Sequence, residues 1–194
     1  SFMLSRNFRL QRVGDIDWLQ SNYNFARISC FIDELIVLDV TRGKRDILAF
    51  CEVLKKLTSG CFLPISAGGG VRSVQDARML LHSGADKIVL NTPLFENNDL
   101  VKNLAKEFGQ QCLVGSIDML RDSENQYSIL TESGNRKLSY AATDALARLA
   151  NESIGDLYLN SIDRDGTGQG YELSMLELIP KIWTTPIILA GGVG

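Results

Sequence analysis

The chain has 194 residues, 45% of them hydrophobic and 22% charged, with a formal net charge of -3. That length supports one sizeable core and is short for two, and a slightly acidic balance offers no basic face to a nucleic-acid backbone. No apolar run reaches the roughly 18 residues of a membrane span, and no basic segment precedes an apolar signal core, so a cytoplasmic protein without membrane contact is expected.

Past a polar opening, "ELIVLDV" (34–40) is apolar on both faces until its end, as in a buried parallel strand. "CFLPISA" (61–67), "DKIVLN" (86–91), "QCLVGSID" (111–118), "DLYLNSID" (156–163) and "TPIILA" (185–190) have the same character. Amphipathic stretches separate most of them. In "SVQDARMLLHSG" (73–84), Val74, Ala77, Leu80 and Leu81 share a face, Ser73 can cap the start with Asp76 three positions on, and Gly84 ends it. "NNDLVKNLAKEFG" (97–109) repeats the design with Leu100, Leu104 and Phe108. "NQYSILTESGNRKLSY" (125–140) places two short alternating runs around Ser133-Gly134-Asn135, which predicts a small hairpin at about 125–138. Cys30, Cys51, Cys61 and Cys112 form no CxxC and have no histidine company; they are expected to be buried small hydrophobes rather than a disulfide framework.

Strands alternating with helices predict a parallel sheet with helices outside it. An internal repeat sharpens this. At one constant offset Glu34 falls on Asp156, Pro64 on Pro186, Gly69 and Gly70 on Gly191 and Gly192, and Val71 on Val193. A register held through strand, helix and strand points to two halves of a closed structure. The expected fold class is α/β, a TIM-type (β/α)8 barrel formed by residues 1–194 as one domain. An intact barrel takes roughly 250 residues, so the first and last strands are expected to be missing. An open flavodoxin-like or Rossmann-like sheet is the alternative.

In such folds the carboxyl ends of the strands carry the chemistry. Asp39 ends an otherwise apolar strand, either as a site residue or as a cap for the next loop. Gly68, Gly69 and Gly70, with Asn91 and Thr92, could surround a phosphate through close backbone N–H groups, or could simply make tight turns. Gly191 and Gly192 repeat the pattern, which implies a ligand with a phosphate at each end. Asp118 closes "LVGSID", where a carboxylate could move a proton at the middle of such a ligand, or serve as a cap or salt-bridge partner. "SIDRDGTGQG" (161–170) offers Asp165-Gly166-Thr167-Gly168 as a tight turn for the second phosphate. Asp163 and Asp165 lack a further ligand at metal spacing, so no metal and no cofactor are expected. His82, the only histidine, reads as a helix-surface residue.

"DELIVLDVT", "SAGGGVRSVQDARMLLHSGADKIVLNT", "GSID", "SIDRDGTGQGYE" and "ILAGGVG", in this order, resemble the cyclase subunit of imidazole glycerol phosphate synthase over nearly the whole chain. "NFRLQRVGD" resembles the segment that follows the family's first strand. The resemblance implies a barrel that takes ammonia from a glutaminase partner to a bisphosphorylated aminoimidazole-carboxamide ribonucleotide. The products would be imidazole glycerol phosphate and aminoimidazole carboxamide ribotide. It implies Asp118 as one of two proton-transferring aspartates, the other belonging to the first strand. Gly70, Asn91 and Thr92 match its first phosphate site; Asp165, Gly166 and Gly192 match part of the second, and Asp39 a polar position at the mouth. Glu34, Lys87 and Asp156 match members of a salt-bridged ammonia gate, with aspartate where the family has glutamate, and Asp86 matches a residue facing the glutaminase.

Close paralogues in surface-polysaccharide clusters are thought to supply ammonia for amidinating an acetamido sugar. Asn160 in place of threonine, Leu189-Ala190 in place of alanine-serine, and the basic Arg42 and Lys44 lean towards them. A barrel isomerase acting on a related bisphosphate, and a non-catalytic remnant of the fold, are the remaining alternatives.

Overall fold

The computed structural model describes residues 1–60 and 62–193. Cys61 and Gly194, both in segments quoted above, lie outside the described residues. The chain divides into two compact units: Ser1–Leu4 with Gln11–Val89, and Ser5–Leu10 with Leu90 onward.

The polar opening is a hairpin of β1 (Phe2–Arg6) and β2 (Arg9–Gly14). Its two turn residues, Asn7 and Phe8, both take positive φ, 50° and 62°. That is the handedness a two-residue hairpin turn requires, and a phenylalanine tolerates it only when held there.

In the first unit α1 (Ile16–Asn22) starts at Asp15, whose carboxylate accepts from the Trp18 N–H at 2.9 Å. The short α2 (Phe25–Ile28) follows, then β3 (Leu35–Leu38), α3 (Ile47–Thr58), β4 (Ile65–Gly68), α4 (Val74–His82) and β5 (Lys87–Leu90). β3 pairs with β4 and β4 with β5, all parallel. The core is filled by Leu54, Ile65, Leu80 and Ile88, each with no exposed surface, together with Cys51 and Ala77. Each such leucine or isoleucine stabilises the fold by about 1.5–3 kcal/mol through burial. The capping box predicted for α4 is present: the Asp76 N–H donates to Ser73 Oγ at 3.1 Å and the Ser73 N–H to Asp76 Oδ2 at 2.9 Å. β4 starts later than the apolar run implies, because Pro64 has no N–H for a ladder.

In the second unit come α5 (Pro93–Glu96), α6 (Asn98–Phe108), β6 (Leu113–Arg121), β7 (Tyr127–Thr131), β8 (Arg136–Lys137), α7 (Ala142–Leu149), β9 (Asp156–Ser161) and β10 (Ile187–Ala190). β6 pairs with β9 and β9 with β10, parallel; β7 runs antiparallel to the far end of β6 and carries β8. β7 and β8 make a hairpin, and β7 joins it to the end of β6, which outruns the predicted strand by three residues. The hairpin's turn runs through Glu132, Ser133 and Gly134, all at positive φ. Between β9 and β10 lies a 3₁₀ turn (Leu173–Leu178) and no α-helix. Leu104, Leu113, Ile117, Leu146, Leu157 and Leu159 have no exposed surface and form this unit's core.

Among the described residues, six parallel strands alternate with helical segments, three in each unit. This is the pattern of a (β/α) barrel that lacks strands. The repeat seen in the sequence is exact in register. Leu35 pairs with Ile65 as Leu157 pairs with Ile187. The Leu35 N–H donates to Pro64 O, and the Leu157 N–H to Pro186 O, both at 2.9 Å. Gly69 and Gly191 take φ of 99° and 88°, and a Cβ at either would press into a carbonyl oxygen at the end of the preceding strand, Asp39 or Ser161.

The cysteine expectation needs correcting. Cys51 is buried and Cys112 half-buried, but Cys30 is exposed, in the turn after α2 rather than on an inward face.

Candidate functional site

In the second unit, parallel register pairs Val114 with Asp156, Ser116 with Tyr158 and Asp118 with Asn160. Paired residues on neighbouring strands share a face, so β6 and β9 build a polar file that ends in Asp118 and Asn160 at the carboxyl side. Leu157 and Leu159 alternate with it and are fully buried. Asn160 donates its amide to Asp118 Oδ1 at 3.0 Å, and Asn91, just beyond β5, donates to Asp118 Oδ2 at 3.2 Å. Burial is the largest influence on this carboxyl and pushes it up to about 6; the Asn160 hydrogen bond acts against that rise, and the negative charge of Asp165 adds to it. Tyr158 is pushed up to about 12, by burial first and then by Asp118 and Asp165. The phenol is therefore a neutral donor throughout the working pH range, and the acid beside it changes charge near neutrality.

Asn91 and Thr92 are both engaged. The Asn91 amide also donates to Ser116 O at 3.0 Å, and Thr92 Oγ1 accepts from the Glu132 N–H at 3.1 Å, which ties the site to the turn after β7. Asp165 sits on the loop after β9, where its carboxylate accepts from the Ser5 hydroxyl and, at 3.2 Å, from the Phe8 N–H. Asn7 completes this contact: its amide reaches Ile162 O and Asp163 O at 3.1 and 2.9 Å, and its N–H reaches Asp165 O. The hairpin tip thus clasps the loop, and a Cβ on Gly166 would collide with Ser5 O. Asp163 accepts from the Arg121 N–H at 2.7 Å. Glu172 is buried between Arg121 and Arg164, with Nη1 and Nε at 3.4 and 3.3 Å, and takes the Ser174 hydroxyl, which holds its carboxyl below the usual range. Gly192 packs against the Gly170 carbonyl, and its own carbonyl accepts the Gly170 N–H at 2.7 Å.

In the first unit the Asp39 N–H donates to Gly68 O, its carboxylate accepts the Thr41 N–H at 2.9 Å, and Arg45 Nε lies 3.8 Å away. The Arg45 side chain covers the Gly70 turn. At the opposite, amino-terminal ends of the strands, Lys87 Nζ meets Glu34 Oε2 at 2.9 Å, and Ser66 donates to the other oxygen of Glu34. Asp86 is exposed, yet one of its oxygens accepts the Ile65 N–H at 2.8 Å, so it also fixes the start of β4. Asp156 begins β9 in the second unit.

Sequence reasoning left out Ser5, Asn7, Phe8, Tyr158 and Glu172. The alternation in "DLYLNS" (156–161) carried the signal for Tyr158 and Asn160. Nothing local announces Ser5 or Asn7, whose partners lie more than 150 residues away.

A family model described as histidine biosynthesis protein matches residues 20–194. The chain belongs to that family. Within it, the chain is 42% identical over 193 residues to a Parasynechococcus marenigrum protein provisionally assigned as imidazole glycerol phosphate synthase subunit hisF2, covering all of this chain and 71% of that protein. It is 37% and 34% identical over 162 residues to the imidazole glycerol phosphate synthase subunits HisF of Streptomyces griseus and Alkaliphilus metalliredigens, covering 84% of this chain and 64% of each of those proteins. These matches place the histidine-biosynthesis chain with the cyclase subunits of that synthase. It spans under two thirds of the length of the latter two relatives.

Proposed function

We propose that the protein is the barrel subunit of a glutamine-dependent imidazole glycerol phosphate synthase. It would use ammonia from a glutaminase partner to convert a bisphosphorylated aminoimidazole-carboxamide ribonucleotide into imidazole glycerol phosphate and aminoimidazole carboxamide ribotide. The observation that carries this is Asp118: a carboxyl near the carboxyl end of the parallel pairing of β6 with β9, gripped by two amides and poised near pH 6. A group half-ionised there serves both as base and as acid near neutrality, which a lyase and ring-closing sequence needs at successive steps. In the first unit Asp39 and the Gly69-Gly70 turn, and in the second Asn91, Thr92, the Asp165-Gly166 loop and the Gly191-Gly192 turn, would serve substrate and phosphate binding, the glycine turns through backbone donors. In the first unit Glu34, Lys87 and Asp86, and in the second Asp156, would serve the ammonia entrance and the docking of the glutaminase.

No described helix is long and apolar enough to cross a membrane, which accords with work in the cytoplasm. The names of the relatives lend no support to sugar amidination; complementation of a histidine auxotroph separates the two readings.

The protein as its host produces it, given ammonia and the bisphosphorylated substrate, should form the imidazole product. Asp118→Asn should lower kcat by roughly a hundredfold or more while substrate binding persists. No product from the unaltered protein, or near-normal turnover in the variant, would sink the proposal.

A further inference from the structure

We propose that Asn160 is a positioning residue: with Asn91 it grips the Asp118 carboxylate from both sides, fixing its plane and leaving one face of each oxygen for a ligand.

The register sets this up. Asp118 and Asn160 are direct partners on β6 and β9, so their side chains leave the sheet side by side. Across the other edge Asn160 is paired with Ala190, whose methyl offers no competing acceptor. The Asn160 amide therefore goes to Asp118 Oδ1, at 3.0 Å. Asn91 approaches Oδ2 at 3.2 Å and is itself steadied by Ser116 O at 3.0 Å. Each carboxylate oxygen has about two acceptor directions; one of each is taken by an amide and one remains. An amide N–H can only donate, so this grip favours the charged carboxylate over the protonated acid. Among the described residues, the other titratable groups that interact with Asp118 are Tyr158 on β9 and Asp165 on the loop beyond it. Tyr158 stays protonated, and the Asp165 charge opposes ionisation of Asp118. Asn160 is thus the neighbour that keeps a crowded carboxyl able to accept a proton near neutrality. This role for the chain's own residues stands on geometry; its catalytic consequence rests on the function proposed above.

The test follows the Asp118 carboxyl carbon by NMR through a pH titration, beside the pH profile of kcat/KM, in the unaltered protein, Asn160→Leu and Asn160→Asp. Losing a hydrogen bond to a charged group should move the Asn160→Leu midpoint up by about one pH unit. The acid limb of kcat/KM should move with it, with kcat reduced and KM changed less than about twofold. Asn160→Asp keeps the size and turns a donor into a second acid, so its midpoint should rise at least as far; it decides the matter should the leucine variant not fold. An unmoved midpoint in a folded variant overturns the proposal. A shifted titration in protein that makes no imidazole product upholds the positioning role and overturns the assigned reaction; product formation with an unmoved midpoint does the reverse.

Discussion

At the scale of a single residue, Asp118 is held at a free-energy cost that its neighbours only partly offset. Its carboxyl titrates at about 6 when folded, against an ordinary value of 3.8. A raised acid binds its proton more tightly in the native state than in the unfolded chain. The native state is therefore favoured below pH 3.8, and that advantage is lost as pH rises through 6. Above this window the buried charge costs up to about 3 kcal/mol. Asp118→Asn removes the charge but keeps the size, although its amide must now face the two amides of Asn91 and Asn160. The variant should melt higher than the unaltered protein at pH 8, and its advantage should shrink towards pH 4. Calorimetric Tm measured across this range checks the sign. An advantage that grows on acidification would show that Asp118 is not held in the way described.

At the scale of elements, the strand-to-helix turns explain why the sequence uses bare backbone twice. Gly43 and Gly69 have nearly the same φ, 100° and 99°, but nothing lies within 4 Å of a Cβ added at Gly43, whereas one at Gly69 would run into the backbone of Asp39. Alanine at Gly43 then meets only the left-handed backbone penalty, about 1–2 kcal/mol. Alanine at Gly69 meets that penalty and must also push the end of β3 away, a further 1–3 kcal/mol by analogy with overpacked cores. Urea midpoints for Gly43→Ala and Gly69→Ala should differ accordingly, with Gly69→Ala clearly the less stable. Equal losses would mean that the close approach to Asp39 is easily relieved. The glycine pairs thus have a packing reason that stands whether or not they also hold phosphate.

At the scale of the whole molecule, what was legible in the sequence is what short periods encode. The apolar runs at 35–38, 87–90 and 187–190, the Ser73 cap and the constant offset between Glu34 and Asp156 all read directly, because strand burial, caps and repeats are local or self-referential signals. The clasp of Asn7 on the loop at Ile162–Asp165, the 3₁₀ turn before β10 and the exposure of Cys30 did not, since each is set by partners or packing far along the chain. Also illegible were two exposed phenylalanines. Phe31 and Phe62 are 79% and 92% exposed and lie just before β3 and β4. These strands are parallel, so both rings stand at the end that carries Glu34, Lys87 and Asp86. Aromatic anchors beside a charged patch are what a protein partner's contact surface uses, and in the proposed function the glutaminase docks at this end. Phe31→Ser with Phe62→Ser should then weaken glutaminase binding about tenfold or more, as expected when anchors each worth over about 1 kcal/mol are removed. Because both rings are solvent-exposed, the melting temperature of the free barrel subunit should stay within a degree or two. Titration calorimetry on the two proteins reads the first effect and thermal melting the second. Unchanged affinity in a stably folded double variant would move the docking face away from this end of β3 and β4.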